Sequence, residues 1–350
     1  MSTRPLCAAL AAIALLACAE PAGAVVHGRP VDPASVPWFV QIGPCGGSLV
    51  APDRVMTAAH CVAGAPVESL GGVVSGDGAT RRYTGVALAP GWRKRNGRSN
   101  FLDDIAIAKL DGPLTGVAPV TLGGAAPPRQ ATILGMGRPV APGSGASPET
   151  FFDTTLRDAS LRVMSDRQCA ATFGRARGND GERFDGRRML CGIDADGLEP
   201  LYSGCNGDSG GPFYAGSPAA PVVYGVVSFG GRRCGADHLP SVFTEVARYR
   251  RFVTTPNPTW APTTPGVARL TGARRVGGRM SCVPPAFANH PSRITTSWFH
   301  VDRGRQRAVA HGRAYTVRRS DRGHRLNCRV TASNAGGYGT AIARGFLIRR

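Results

Sequence analysis

Three short stretches of the 350-residue sequence carry side chains that could act together on a carbonyl group. His60 lies in the sequence TAAHC, Asp104 opens the apolar sequence DIAI, and Ser209 lies in the glycine-rich sequence GDSGG. Cleavage of an amide at neutral pH needs a nucleophile, a base, a group that orients the base, and N–H donors for the developing oxyanion. Together the three stretches offer each of these parts.

Each stretch also has an ordinary structural explanation. A lone histidine is often a packed core residue, and a lone serine among glycines is often part of a turn. Asp103 competes with Asp104 for the orienting role, but Asp104 directly precedes the apolar run, whereas Asp103 is typical of a solvated loop. The occurrence of all three stretches in one chain favours the chemical explanation.

The elements that must position these side chains are strands. From Trp38 to about Val246, short apolar or alternating runs are separated by Gly, Pro and Asp turns, which is typical of an all-β domain. The predicted strands are 38–42, 48–50, 54–57, 105–110, 132–134 and 222–229. A helix is predicted next, because Val246, Tyr249 and Val253 recur at helical spacing before Pro256.

A proline- and threonine-rich segment, residues 254–266, separates this region from the last part of the chain. Its prolines hold the backbone extended, so the segment is predicted to be a semi-rigid linker. Beyond it, residues 267–350 contain Cys282, Trp298 and Cys328 among short strand-like runs. This pattern resembles an immunoglobulin-like β-sandwich, although Leu326 stands where many such domains have a tyrosine.

Taken in the order His, Asp, Ser, and with cysteines around them, the three stretches resemble the chymotrypsin/trypsin family of serine proteases. The resemblance covers residues 25–253 and implies a protease domain of two β-barrels. The expected fold class is therefore all-β, with this domain followed by a small immunoglobulin-like sandwich. The implied substrates are proteins or peptides, and no cofactor is expected.

The family's roles can be carried over to individual residues. Ser209 corresponds to the nucleophile, His60 to the general base and then acid, and Asp104 to the carboxylate that fixes the imidazole tautomer. The N–H groups of Gly207 and Ser209 correspond to the oxyanion hole.

The resemblance also implies where the primary specificity pocket lies. Ser203 would form its floor, Gly204, Ser228 and Gly230 its sides, and Ser241 would stand where relatives often have glycine. An open and uncharged pocket predicts a preference for large apolar or aromatic residues before the cleaved bond. Ser241 could shorten the floor and shift this preference toward Leu or Met.

Two arginines, Arg232 and Arg233, follow the pocket glycine. They could attract acidic residues at neighbouring subsites, but a solvated loop is the favoured explanation, because exposed charges attract weakly in salt.

The carboxyl of Asp208, next to Ser209, needs a partner if it is buried. In the family this partner is the α-amino group of the mature N-terminus, which here would be Val25. His27 stands where relatives usually have glycine, so the N-terminal segment could insert differently.

The first 24 residues have the pattern of a secretory signal peptide. An apolar run from Leu6 to Ala19 is too short to span a bilayer, and Ala22-Gly-Ala24 is a typical cleavage site, which predicts a mature start at Val25. Export itself would then activate the protein. The alternative is a bacterial lipoprotein in which Cys18 is lipidated and residues 18–24 act as a propeptide.

Without this leader, which holds Cys7 and Cys18, eight of the ten cysteines remain, an even number that predicts disulfides in an exported chain. The family resemblance, with the sandwich pattern, implies the pairs Cys45–Cys61, Cys169–Cys191, Cys205–Cys234 and Cys282–Cys328. No metal site is expected, because the histidines show no ligand spacing in the sequence.

The formal net charge of +19 is concentrated near the C-terminus, where 17 arginines from Arg269 to Arg350 face only Asp302 and Asp321. This basic domain could dock to a polyanion or to the cell envelope, or it could simply be a soluble surface, and no nucleic-acid-binding motif accompanies it. The sequence as a whole predicts a monomeric, exported bacterial serine endopeptidase. The alternative is a catalytically silent binding or adhesion protein that keeps the protease fold.

Overall fold

The computed structural model of the chain describes residues 25–65, 67–70, 72–75, 79–92, 94–95, 98–99, 101–137, 155–175, 182–198, 201–234, 237–302 and 305–349. The predicted leader, with Cys7 and Cys18, lies outside these ranges. The described chain folds into a large N-terminal region of two β-barrel-like bodies and a smaller C-terminal pair of sheets.

The large region contains the following elements. Its strands are β1 (Arg29–Pro30), β2 (Phe39–Ile42), β3 (Cys45–Ala51), β4 (Arg54–Thr57), β5 (Gly72–Ser75), β6 (Thr80–Leu88), β7 (Lys94–Arg95), β8 (Arg98–Ser99), β9 (Ala106–Leu110), β10 (Thr121–Leu122), β11 (Gln130–Gly135), β12 (Arg157–Met164), β13 (Met189–Asp194), β14 (Pro212–Ser217), β15 (Ala220–Phe229) and β16 (Ser241–Glu245). Its helices are α1 (Ala59–Val62), α2 (Asp166–Arg175) and α3 (Val246–Thr254), with 3-10 turns at Pro33–Ser35 and Val67–Leu70.

The first body is a closed barrel with strand order β2-β3-β4-β9-β6-β5. Apolar residues of neighbouring strands meet inside it: Leu49 on β3 lies opposite Val55 on β4, and both are fully buried. Ile107 on β9 lies opposite Met56 and is equally buried. Burial of such side chains is worth roughly 1.5–3 kcal/mol each, which explains why the apolar runs of the sequence locate these strands well.

The second body is built from β11 to β16. Its strands pair in the order β12-β11-β14-β15-β16-β13, and β13 pairs again with β12. The sheet therefore closes on itself. Phe213 and Phe243 stack inside it with ring centroids 4.0 Å apart. The predicted helix is confirmed as α3, whose buried Val246 and Val253 pack against the cores of this region.

The C-terminal region consists of two sheets. Strands β17 (Arg269–Gly272), β18 (Arg279–Val283) and β21 (Ala314–Thr316) form one, and β19 (Arg293–Asp302), β20 (Arg305–His311), β22 (Arg325–Asn334), β23 (Gly337–Ile342) and β24 (Phe346–Leu347) form the other. A 3-10 turn covers Arg319–Asp321. The Cys282–Cys328 disulfide joins β18 to β22, and the fully buried Trp298 lies in the same core.

A buried polar cluster accompanies this core. The carboxylate of Asp321 accepts hydrogen bonds from the Tyr315 hydroxyl at 2.8 Å and the Arg318 N–H at 2.7 Å, and it lies 2.8 Å from His300 Nε2. Several partners make burial of this charge tolerable.

The segment predicted as a linker is packed between the two regions. The Ala261 N–H donates to the Val86 carbonyl on β6 at 2.7 Å, and Trp260 lies within 5.9 Å of the Lys109 ammonium. On the other side, Asn334 donates to the Trp260 carbonyl at 2.8 Å. The segment is therefore extended but not a free tether.

Direct contacts also join the two regions. Leu88 N–H donates to the Gly336 carbonyl at 2.8 Å, and the Thr340 hydroxyl donates to the Gly64 carbonyl at 2.9 Å. The ring of Tyr338 occupies the space where a Cβ at position 64 would lie, so the close approach requires glycine there. The last domain thus sits against the loop that follows His60.

No helix in the described ranges is long and apolar enough to cross a membrane.

Candidate active site

The central pair of the site is His60 with Asp104, and neighbouring strands bring them together. His60 lies on α1, directly after β4, and Asp104 directly precedes β9, which pairs with β4. The Asp104 carboxylate accepts the His60 backbone N–H at 2.8 Å and lies 2.7 Å from the ring Nδ1. One carboxylate therefore holds His60 at two points, its backbone N–H and its ring.

The second body completes the surroundings of Asp104. The Ser228 hydroxyl on β15 donates to the carboxylate at 2.6 Å, and the Thr244 hydroxyl on β16 donates to the Asp104 carbonyl at 2.9 Å. Asp104 is fully buried, and this set of donors offsets the cost of removing its charge from water.

The electrostatics of the site keep His60 basic. Burial by itself lowers the pKa of His60, but the charge and hydrogen bond of Asp104, and also the charge of Glu182, raise it above 6.5. A histidine with a pKa above 6.5 takes up a proton readily near neutral pH, which suits a general base.

Ser209 lies in a turn whose shape depends on glycines. Gly207 has φ +102°, and a Cβ there would come within 2.7 Å of the Gly137 Cα, so only glycine fits. The Ser209 carbonyl accepts the Gly46 N–H of the first barrel at 2.8 Å. Of the two residues predicted to form the oxyanion hole, Ser209 lines the pocket next to this turn, whereas Gly207 is not among the lining residues.

His60 and Ser209 line one pocket of about 180 Å³. Among the described residues the Ser209 hydroxyl makes no hydrogen bond, and the Cys61 sulfur lies 3.7 Å from His60 Nε2. Hydrogen bonds of this kind are often long in unliganded enzymes and shorten when substrate binds.

The pocket continues along the residues predicted to set specificity. Gly204, Ser228, Gly230 and Ser241 line it. Beneath them, the hydroxyls of Ser203 and Ser241 lie 3.3 Å apart, and the Ser241 hydroxyl also accepts the Gly204 N–H at 3.0 Å. Ser241 therefore brings a neutral hydroxyl to the pocket, while Ser203, the predicted floor, is buried behind it and does not line the pocket directly.

Two lining residues were missed by the sequence analysis. Glu182 is buried in the pocket, and the Phe101 ring lies 5.2 Å from the His60 ring. Glu182 belongs to the polar loop between Cys169 and Cys191, where nothing in the spacing marks it. A φ of +53° at Phe101, unusual for a bulky residue, is invisible in the sequence.

Asp208 points away from the pocket into the second body and is fully buried. Its carboxylate accepts the N–H groups of Gly137 and Cys205, each at 2.8 Å. Burial raises the pKa of Asp208 to about 7, although these two N–H groups and that of Val25 lower it. Val25 itself is buried in the core of the second body, and Val26 donates to the Ser203 carbonyl at 2.9 Å.

The remaining predicted residues lie around this centre. Asp103 accepts the Tyr249 hydroxyl at 2.9 Å and contacts Arg188 at 3.2 Å, while Asp104 is the partner of His60. Arg232 and Arg233 are exposed. The disulfides in the structure are Cys45–Cys61, Cys169–Cys191, Cys205–Cys234 and Cys282–Cys328.

Among the described residues, two groups bring metal-ligand atoms together. Cys45 and Cys61 beside His60 are joined in a disulfide and offer no thiolate. The second group, His300, Asp302 and His324 in the C-terminal region, was not foreseen from the sequence. Both ring nitrogens of His300 already have partners, since Nε2 faces Asp321 and Nδ1 lies 3.4 Å from an arginine.

Comparison with known proteins shows the family of this chain. Residues 25–253 match the family model described as Trypsin. Similar proteins include Kallikrein-15 of Saguinus oedipus, 29% identical over 68% of this chain and 93% of that protein, and Trypsin of Saccharopolyspora erythraea, 31% identical over 59% of this chain and 83% of that protein. Kallikrein-11 of Homo sapiens is 27% identical over 64% of this chain and 77% of its own length.

The barrel fold and the matched relatives define a serine endopeptidase, an enzyme that hydrolyses peptide bonds. Within that class, the chain belongs to the trypsin family through residues 25–253.

The environment of Asp208 leads to a prediction for the chain in which the Ala24–Val25 peptide bond is intact. Its carboxyl has a pKa of about 7 when folded, against an ordinary value of 3.8, so the folded state binds the proton more tightly. This contribution to stability is complete below the unfolded pKa and is lost as pH rises through the folded one. The free energy of unfolding should fall by up to roughly 4 kcal/mol between about pH 4 and pH 7.

Urea unfolding of the full chain at several pH values measures this slope. The matched control is Asp208→Asn, which cannot titrate and should flatten the profile in that interval. Identical slopes for both proteins would show that Asp208 does not carry the effect.

Proposed function

We propose that the chain is an exported serine endopeptidase of bacterial type in which Ser209, His60 and Asp104 act as the catalytic triad. The observation that carries this proposal is the His60–Asp104 pair, in which a fully buried carboxylate lies 2.7 Å from the ring of a partly exposed histidine that shares a pocket with Ser209. The neutral His60 ring donates its Nδ1–H to Asp104, so Nε2 carries the lone pair that can accept a proton.

In the first step, Nε2 of His60 takes the proton of Ser209 as the hydroxyl oxygen attacks the substrate carbonyl. The negative charge that forms on the carbonyl oxygen is stabilised by the N–H groups of Gly207 and Ser209. The C–N bond then breaks, and His60 returns the proton to the departing amine. Water repeats the sequence on the acyl-enzyme and releases the acid.

The N-terminus controls the same turn in this proposal. Cleavage after Ala24 would turn the Val25 N–H, which already interacts with Asp208, into a charged α-amino group. An ion pair in this position offsets the cost of burying the carboxylate, whereas an unpaired buried charge costs about 3–5 kcal/mol. Export with removal of the leader would then assemble the oxyanion turn.

We further propose that large apolar or aromatic side chains occupy the specificity pocket. Support comes from the neutral pair Ser203 and Ser241, whose hydroxyls lie 3.3 Å apart. The carboxylate that does line the pocket, Glu182, interacts with the charge of His60, and we propose that it is not the partner of the substrate side chain. Gly230 leaves the wall of the pocket open, because a Cβ there would meet no atom closer than 3.8 Å.

We also propose that residues 25–253 form the protease domain. After the segment 254–266, residues 267–350 form an immunoglobulin-like domain. Its two sheets, its inter-sheet disulfide and the buried Trp298 support this assignment. The excess of arginine suits a role in holding the protease near an acidic partner.

The proposed function is tested first by the intact mass of the exported protein before and after reaction with a fluorophosphonate. We expect a chain that starts at Val25 and gains one label at Ser209, because only an activated serine reacts. The Ser209→Ala variant should remain unlabelled. A Val25 start without labelling would instead indicate a binding protein that keeps the protease fold.

The pH dependence of kcat/KM should show an acid limb with a midpoint above 6.5. The sign follows from the mechanism: neutral His60 is the active base, and neighbouring carboxylates raise its pKa, so activity is lost as pH falls through that value. The Glu182→Gln variant should move the midpoint to lower pH. A midpoint that is unchanged in this variant would exclude an electrostatic influence of Glu182 on His60.

The specificity proposal predicts the effect of Ser203→Asp. A carboxylate at the floor should raise kcat/KM for substrates with Arg or Lys before the cleaved bond by about 10- to 100-fold, since a hydrogen bond to a charged group is worth roughly 1.5–3 kcal/mol. Peptides that differ only at that residue, with Phe, Leu, Arg or Lys, measure the change. A natural enzyme that already prefers Arg over Phe would contradict the proposal.

A further inference from the structure

Between the protease domain and the C-terminal domain lies a cleft of about 1330 Å³. This volume exceeds the 300–1,000 Å³ that is usual for small-molecule sites and suits a polypeptide segment. One wall comes from Gly64 and Trp92 of the protease domain. The other is the face of β22 and β23 that carries Arg329, Tyr338 and Ile342.

The shape of the cleft is defined because contacts between the two domains hold its walls together. Hydrogen bonds of Leu88 to Gly336 and of Thr340 to Gly64 join the two domains here, and Tyr338 packs against the core of the protease domain. A domain on a free tether would have no defined space of this kind.

The charge of the lining is of one sign. Among the described residues that line the cleft, the charged ones are Arg293 and Arg329. Arg329 is held in place by a 2.6 Å hydrogen bond to Gln306 and by the Phe299 ring 5.1 Å away. Its guanidinium has five N–H donors, so these contacts leave donors for a carboxylate.

Apolar surface accompanies this charge. Val267 and Ile342 line the cleft while exposing 66% and 39% of their surface. Large apolar side chains in the described chain are seldom so exposed, and two of them lie in this cleft. Exposed apolar groups with a polar rim are typical of a binding surface.

The cleft adjoins the catalytic centre. Trp92 on its wall contacts Phe101 with ring centroids 6.2 Å apart, and Phe101 lies 5.2 Å from the His60 ring. An extended chain advances about 3.3 Å per residue, so a few residues of one substrate can connect the two places.

We propose that this cleft is an exosite that binds an acidic, partly apolar segment of the same polypeptide that is cleaved at Ser209. The proposal rests on the proposed protease function and adds a second point of substrate recognition to it. The C-terminal domain thereby selects which proteins are cut, while the catalytic pocket selects the bond.

The test compares three peptides with the same cleavage sequence in the mature full-length enzyme. One is short, one carries in addition a segment rich in Glu, Asp and Leu, and one carries the same segment with Lys in place of the acids. The extension is placed before the cleaved bond in one set and after it in another. We expect kcat/KM for the acidic peptide, in one of the two sets, to exceed that of the short peptide at least about tenfold at low salt and to fall as salt rises.

The variant Arg293→Ala/Arg329→Ala should lose this advantage and cleave the short peptide normally. Its matched control is Arg319→Ala/Arg322→Ala, which removes the same charge from exposed positions of the same domain that do not line the cleft. The control should keep the advantage.

Three results would overturn the exosite. An equal loss in the control pair would indicate a general attraction of polyanions to the basic domain. Equal rates for acidic and lysine-containing peptides would show that the cleft does not select charge. Concentration-dependent dimerisation that buries Ile342 would assign the surface to a second copy.

Failure of the short peptide itself to be cleaved would refute the protease function, which separates the two proposals.

Discussion

The site depends on one buried carboxylate that two separately folded bodies share. Asp104 belongs to the first barrel, where it holds His60, yet its side chain and carbonyl take hydrogen bonds from Ser228 and Thr244 of the second body. A fully buried charge is tolerable only with such partners. The residue that orients the imidazole therefore also joins the two bodies, together with the hydrogen bond from Gly46 to Ser209.

Asp208 presents the opposite electrostatic situation a short distance away. Its neighbours are neutral backbone N–H groups, so burial dominates and its pKa rises. Glycines at positions 135 and 137 let the backbone approach this carboxyl closely, since a Cβ at either would collide with it. One site thus contains two buried aspartates that differ in their donors, since Asp104 lies against the side chains of His60 and Ser228, whereas Asp208 accepts backbone N–H groups.

The local pattern of apolar and turn residues was sufficient to predict many of the strands. The predicted strand 54–57 coincides with β4, and the predicted strand 132–134 lies within β11, because apolar alternation and turn residues report directly on a half-buried strand. The neighbourhood of His60 and Asp104 was predicted through resemblance, not from spacing. Glu182 and Phe101 were missed, since their positions depend on how loops close over the pocket.

The contact between the domains could not be predicted from the sequence either. Residues 254–266 have the composition of a linker, and composition does not reveal that the Ala261 N–H finds an acceptor on β6. Likewise, nothing in the spacing of His300, Tyr315 and Asp321 shows that they share one buried cluster. Such pairings are set by tertiary packing, for which a single sequence offers no local signal.

The glycines where the two domains meet limit how far the C-terminal domain can be exchanged between proteins. Gly64, Gly336 and Gly337 each occupy a place where a side chain would strike the opposite domain or the connecting segment. The surfaces of the two domains are complementary down to the backbone, so the C-terminal domain cannot be moved to an unrelated protein and keep this contact. Transplanted behind another protease barrel, it would need that barrel to supply the same backbone shape beside its catalytic histidine.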